Sequence, residues 1–304
     1  MTESTVFPDT QPQVFPDVWV HRNALGLEIG SEVPTGIPSN ALAAFFAAVQ
    51  VTWEIRETLW MLVLRDFKGR YRAQALGLFW SLAHPLVMMV TTTIAFDYVL
   101  RVQIPYFPVF YLVGAIYWQF FTNAILAATG AMTDNGGLIK HTTFPRFLFP
   151  IAAVLSHLIH FGMELLLVFA FFFVFPDAYR FNFTLVALPL LVFLILLISI
   201  GVGLMVSVLH AKYRDLYYVV TSLITVGFWG TPILYSTAMA PAWLRPLLRL
   251  NPVGGVIEGA RDIMMNGKWP NLEYLLPAFV TGVVVFVVGC LVFRKENLRV
   301  SDYV

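Results

Sequence analysis

The chain has one cysteine, Cys290, in 304 residues, so no disulfide can form within it and redox chemistry has no second thiol to use. It has almost no net charge: 19 Lys and Arg against 18 Asp and Glu leave +1, which excludes a global attraction for nucleic acid. No G-x-x-x-x-G-K-[S/T] run occurs, and Gly136-Gly137-Leu138-Ile139-Lys140 lacks the spacing that wraps a triphosphate, so the chain is not expected to hydrolyse ATP alone. No Cys/His set has zinc spacing and no Ser lies in a nucleophile elbow, which leaves no catalytic residue and no metal cluster to assign. The first twenty residues contain Glu3, Asp9 and Asp17 with no basic start and no apolar core, so no cleavable leader is expected there.

Charge is scarcest in six long apolar stretches, 79–100, 108–131, 147–174, 181–209, 216–235 and 274–293, where Asp97 and Glu164 are the only acidic residues. A helix needs about 20 apolar residues, each rising about 1.5 Å, to cross about 30 Å of hydrocarbon. With 59% hydrophobic residues and a mean hydropathy of +0.75, the chain is expected to be an all-α membrane protein of six transmembrane helices, with a spanning domain over 79–294. Thirteen of the 19 Lys and Arg then lie on the side of the two termini and six on the other. Cytoplasmic loops retain Lys and Arg, so both termini are expected in the cytoplasm.

Residues 1–52 are rich in proline and acidic, and read as a flexible cytoplasmic tail, while 295–304 form a short cytoplasmic C-terminal tail. In 53–78, Ile55, Leu59, Leu62, Val63, Phe67 and Tyr71 recur at helical spacing among Arg65, Asp66, Lys68 and Arg70. That pattern predicts an amphipathic helix lying in the membrane surface, serving either as an anchor or as a gate. The loop 134–146 holds a short helix ended by Pro145, and 236–273 holds two short amphipathic helices split at Asn251-Pro252. The latter are too short to span and read as re-entrant or surface-lying.

Inside the apolar stretches, His157, His160 and Glu164 share one face of the third. Ionisable groups at that depth mark a hydrogen-bonded seam, a substrate-facing track or a metal site, although no further ligand is evident. Asp97 and Arg101 are spaced to pair along a helix. Aromatics make up 15% of the chain and crowd the second and fifth stretches at Tyr111, Trp118, Phe228, Trp229 and Tyr235. Such rings can stack on sugar C–H faces, the chemistry of a glycan channel.

An ordered set of short motifs resembles a known family. It runs Arg65-Asp66-Phe67-Lys68 with Arg70-Tyr71, Leu76-Gly77, Trp80 and Pro85; Asn135, Leu138-Ile139-Lys140 and Phe144-Pro145-Arg146; Tyr213-Arg214-Asp215-Leu216; Thr231-Pro232-Ile233 with Tyr235; and Asn251-Pro252 with Arg261. This is similar to the ABC-2 type permeases of the polysaccharide-export group, which export O-antigens, capsules and teichoic acids. The resemblance implies a homodimer with two ATP-binding-cassette subunits, which hold the ATP and Mg while this chain binds no cofactor. It implies that 53–78, with Arg65, Asp66, Lys68, Arg70 and Tyr71, is a gate helix. It implies that 134–146, with Asn135, Leu138, Ile139, Lys140, Phe144 and Arg146, is a coupling helix docking on the ATPase. It implies re-entrant helices in 236–273 and an undecaprenyl-linked glycan as cargo. Three other readings are an exporter of small molecules, a lipid-linked glycosyltransferase using Asp97 as base, and a proton-coupled transporter using His157, His160 and Glu164.

Overall fold

The computed structural model describes residues 56–71, 77–102, 104–141, 145–171, 173–179 and 182–297, all of which belong to one compact unit. The N-terminal tail and most of 295–304 therefore lie outside the described residues. No strand occurs among the described residues. The helices are α1 (Arg56–Tyr71), α2 (Gly77–Thr93, continued by a π-turn over Ile94–Val99), α3 (Phe107–Asp134), α4 (Gly136–His141), α5 (Leu148–Ala170), α6 (Leu188–Lys212), α7 (Leu216–Trp229), α8 (Arg245–Leu250), α9 (Pro252–Met264) and α10 (Leu272–Asn297).

Among the described residues, five segments are long and apolar enough to cross a bilayer: Leu82–Val99, Phe107–Asp134, Leu148–Ala170, Phe183–Lys212 and Leu272–Asn297. The stretch 216–235, expected to be a sixth span, departs from that pattern. Its helix α7 has 14 residues, which reach about 21 Å and fall short of a hydrocarbon core of about 30 Å. The cause is local. Gly230 caps the helix and Thr231-Pro232 follows, where proline has no N–H to offer a helix and disfavours helical backbone in the residue before it. The chain goes on without helix through Thr231–Leu234, all four residues being buried. The expected pair of Asp97 and Arg101 is also absent among the described residues. Arg101 has φ 54°, outside the helical region, so the periodicity that would align the two side chains ends before it.

Two apolar clusters fix how the helices run. One joins Leu59, Leu62 and Val63 of α1 to Met132 of α3, Leu148 of α5, Val208 of α6 and Phe293 of α10. The other joins Phe107 of α3 to Val168 of α5, Leu191 of α6, Ile257 of α9 and Ala278 of α10. Helices α3, α6 and α10 therefore run from the α9 end to the α1 end, and α5 runs back. α7 starts beside Ile125 and Val206, through Val220, and the segment after it reaches α9. In α1, Leu59, Leu62 and Val63 of the greasy stripe are buried against protein, α5 among it, while Trp60 and Met61 are exposed.

Helices in lipid gain little from burying apolar area against each other, so close packing of small residues carries their association. α6 and α10 meet at Gly201 and Gly289. A Cβ on Gly201 would lie 2.5 Å from the Phe286 Cα, and one on Gly289 would collide with the Gly201 carbonyl. At the α9 end the equivalent constraint is polar. Arg261 is fully buried and donates to the carbonyls of Phe110 (3.3 Å), Pro232 (2.6 Å) and Ile233 (2.8 Å). Its guanidinium lies 3.4 Å from the Phe110 ring centroid, a cation–π contact, and Glu258 is 3.9 Å away. Asn251 caps α9 by accepting from the Val253 and Gly254 N–H groups while donating to Thr231 Oγ1. One buried cation and one cap thus fasten the non-helical 231–233 segment to α3 and α9.

Gly201→Leu is expected to destabilise the detergent-solubilised chain by about 1–3 kcal/mol or more through overpacking, read as a lowered thermal midpoint. Arg261→Leu removes the donor from three buried carbonyls, each worth about 1–3 kcal/mol when left unpaired. Its midpoint is expected to fall further than that of Gly201→Leu, and Arg261→Lys, which has no fork to span the carbonyls, should recover little.

Candidate functional site

The helix α3 borders two separate cavities. Tyr111, Ala115, Trp118 and Gln119 line the first, and Asn123, Ala127, Gly130 and Asp134 the second. Steps of three and four residues hold each set together, and at 3.6 residues per turn the second set lies about 100° farther round, so the lining winds along the helix. From 111 to 134 the stripe is about 34 Å long at about 1.5 Å per residue, the full thickness of a hydrocarbon core. α7 runs beside it, contributing Tyr217 to the second cavity and Phe228 to the first.

The cavity nearer the α9 end has a volume of about 170 Å³ and brings together Tyr111, Trp118 and Phe228 with His84 and Met88 of α2. The Trp118 and Phe228 rings meet edge to face at 6.2 Å, which orients the Trp118 face. Trp229, two-thirds exposed, points away, and Tyr235 donates to the Trp229 carbonyl at 2.9 Å. Three of the five aromatics singled out from sequence therefore share a cavity; Trp229 and Tyr235 do not line it.

The cavity at the α1 end is larger, about 420 Å³, and polar, lined by Arg70, Asn123, Thr133, Asp134, His157 and His210 among others. Five helices meet there. Arg70, near the end of α1, donates through Nη2 to Ser156 Oγ (3.0 Å) and lies 3.3 Å from His157 Nδ1. Next to it, the Tyr71 hydroxyl is 3.1 Å from His160 Nδ1, and His160 Nε2 is 3.2 Å from Glu164 Oε1. The Nε2 approach to Glu164 is an ion-pair distance without hydrogen-bond geometry, and neither Glu164 carboxylate oxygen has a hydrogen-bond partner among the described residues. Burial lowers the Arg70 pKa from its ordinary value, yet a guanidinium stays charged at physiological pH. Arg70 and Tyr71 of α1 and His157, His160 and Glu164 of α5 form one seam between the two helices. Among the described residues no group of three or more His, Cys, Asp or Glu is disposed to hold a metal ion.

The remaining residues singled out from sequence are more scattered. Arg65 pairs with its neighbour Asp66 at 2.8 Å, and Lys68 is exposed. In the loop after α3, Asn135 donates to the Ala131 carbonyl and so closes the helix end, Ile139 is buried, and Leu138 is half-buried. Lys140 is exposed, and Phe144 lies outside the described residues. Arg146 donates to the Asn297 carbonyl at 2.6 Å, placing its charge at the C-terminal end of α10, where the helix dipole is negative. Asn123, Thr133, Asp134, Ser156, His210 and Tyr217 are the site residues that sequence reasoning passed over. Of these, Asn123 and Asp134, eleven residues apart, fall on one face of α3, a polar spacing visible in the sequence.

Residues 57–265 match the family described as ABC-2 type transporter. An O-antigen export system permease protein RfbA of Klebsiella pneumoniae is 31% identical over 240 residues, covering 78% of this chain and 91% of that protein. The Myxococcus xanthus protein of the same name is 27% identical over 256 residues, covering 84% of this chain and 98% of that protein. The family match spans well over half of the chain, and its bounds run from α1 to the residue after α9, taking in the whole of the α3 stripe. The chain belongs to the ABC-2 type transporter family.

Proposed function

We propose that the chain is the membrane-spanning subunit of an exporter that carries a lipid-linked polysaccharide across the cytoplasmic membrane, driven by ATP hydrolysed on a separate subunit. The observation that carries this reading is the α3 stripe: a line of cavity-lining residues that winds along the helix for about the thickness of the bilayer, polar at the α1 end and aromatic toward the α9 end. A sugar chain needs such a path, with hydroxyl partners where it enters and ring faces to slide over farther on. The relatives named for O-antigen export support the same cargo class. The chain itself performs no chemistry; ATP and Mg belong to the partner.

The α1 end is the cytoplasmic end, because Lys140, Arg146, Lys212, Arg214, Arg294 and Lys295 cluster there. Both termini then lie in the cytoplasm, which requires an even number of crossings. α7 with the buried 231–234 segment makes the sixth, its missing length supplied by non-helical backbone held by Arg261 and Asn251. The helices α8 and α9 sit at the outer end as the re-entrant elements. A second copy completes the conduit, since α7 exposes Tyr218, Leu223, Val226 and Trp229 on the single chain. On the cytoplasmic side α4 is the coupling helix and Lys140 its exposed cation, while Arg146 holds the end of α10 next to it. α1 is the gate, closed by the Arg70 and Tyr71 contacts.

Expressed from its native operon and extracted in mild detergent, the chain is expected to bring down a stoichiometric ATPase; isolation as a lone chain would overturn the reading. Lys140→Glu is expected to cut the recovered ATPase severalfold without lowering the thermal midpoint. Trp118→Ala is expected to reduce surface polysaccharide at least tenfold while ATPase assembly is unchanged, measured by immunoblot of the glycan and by subunit stoichiometry.

A further inference from the structure

Among the described residues Glu164 is the only buried acid, 1% exposed, and neither of its oxygens has a hydrogen-bond partner. An ionisable group enclosed within a spanning helix, with no bond to account for it, asks for a functional explanation. Titratable groups approach it from three neighbouring elements and from its own. His160, one turn earlier on α5, holds Nε2 3.2 Å from Oε1, and the Tyr71 hydroxyl of α1 lies 3.1 Å from Nδ1 of the same imidazole. The His84 side chain of α2 acts on the carboxylate electrostatically. On α3 the Tyr117 ring meets Phe161 edge-on at 5.0 Å, and its buried hydroxyl is likewise without a hydrogen-bond partner. α6 has no ionisable residue from Leu188 to Leu209. Arg70, the one guanidinium of the seam, is engaged farther along α5 by Ser156 and His157. The charge of Glu164 can therefore be compensated only by a proton, its own or one on an imidazole, and His160 is the imidazole at ion-pair distance.

We propose that Glu164 is a positioning residue for α1: it keeps one proton in the Glu164–His160 pair, and that proton keeps Nδ1–H of His160 turned toward Tyr71. The inference uses the exporter reading only in calling α1 a gate; the seam belongs to this chain whatever the cargo. Two forms of the pair have the same proton count and no net charge. One is imidazolium with carboxylate, the other imidazole with carboxylic acid, and the proton passes between Nε2 and Oε1. In both, Nδ1 keeps its hydrogen and donates to the Tyr71 oxygen. Loss of the proton leaves a bare carboxylate among buried apolar neighbours such as Phe161 and Val168, which is costly. It also sets a lone pair of Nε2 against Oε1, unless the imidazole hydrogen moves to Nε2 and Nδ1 ceases to donate. Either way the tie to Tyr71 weakens, and α1 is released as pH rises through the loss of that proton.

The test reads the seating of α1 by electron–electron distance measurements on the full chain in nanodiscs. Nitroxides are placed at Gly69→Cys in α1 and Gly162→Cys in α5, with Cys290→Ser to remove the native thiol. A Cβ at either glycine meets nothing within 4 Å, so both labels have room. Labelled chains are diluted with unlabelled ones, and pH is kept below about 9, short of the ordinary tyrosine ionisation near 10. The otherwise wild-type chain is expected to give one distance near neutral pH and a second, longer population that grows at least threefold toward alkaline pH. Glu164→Gln has the same shape and cannot ionise, so it should lose that rise, whereas Glu164→Asp should keep it. His84 and His157 are present in all three chains, so the difference reports Glu164 alone. Tyr71→Phe should show the longer population at every pH, and adding Glu164→Gln to it should change nothing further. Flat distances in the wild-type chain, or an equal alkaline rise in Glu164→Gln, overturn the inference. Should Glu164→Gln not fold, Tyr71→Phe still decides, because an undiminished alkaline rise there overturns it as well. The distances need neither ATPase nor glycan. The exporter reading is decided separately, by surface polysaccharide in a strain deleted for the chain, where normal display would overturn that reading.

Discussion

Inside hydrocarbon no water is at hand to satisfy a polar group, so every break in a helix has to be repaired from within the chain. A break buried in protein poses the same problem, and the rest of this structure depends on one repair of that kind. The chain leaves helical geometry after Trp229, and the carbonyls of Pro232 and Ile233 are buried. Arg261 supplies their donors, takes the Phe110 carbonyl as well, and is itself compensated by the Phe110 ring and by Glu258. Because Phe110 belongs to α3 and Arg261 to α9, the same side chain sets the position of the aromatic end of the stripe. Gly114 leaves the room this needs, since a Cβ there would lie 2.7 Å from the Arg261 guanidinium.

At the opposite end the polar contacts are arranged differently. Arg261 uses all three of its nitrogens, whereas Arg70, part-buried, has one amino group on Ser156 and the other without a hydrogen-bond partner among the described residues. The first fixes its surroundings from three sides and the second from one. The seam of Tyr71, His160 and Glu164 lies a turn deeper along α5 and ties the same helix a second time.

Much of this was legible in the sequence, and the reasons are physical. Long apolar runs and the sparse charges between them report helices directly, because the bilayer leaves few other solutions. The His157, His160 and Glu164 spacing was legible as one helix face, since helical periodicity is local. Its partners Arg70 and Tyr71 were legible only as members of a motif, because the pairing crosses 86 to 89 residues of chain. The length of α7 was misjudged for a simple reason: hydropathy continues through Ile233 and Leu234, while Gly230 and Pro232 have already ended the helix. The glycan aromatics divided in the same way. Tyr111, Trp118 and Phe228 follow the helical face, whereas Trp229 is one residue on, about 100° around the helix, and falls on another side.

The docking of Leu59, Leu62 and Val63 on α5 has a consequence for how α1 is held. Lipid tails are as apolar as the α5 surface, so exchanging one for the other changes the solvation of these side chains very little. Leaving lipid therefore contributes little, and close packing is what the apolar face has to offer. The directional bonds at the far end of α1 add to it, each worth about 0.5–1.5 kcal/mol, or about 1.5–3 where a charge takes part. Both kinds of contact act only at touching distance, so α1 is held by fit and by register, with no long-range pull toward its seat.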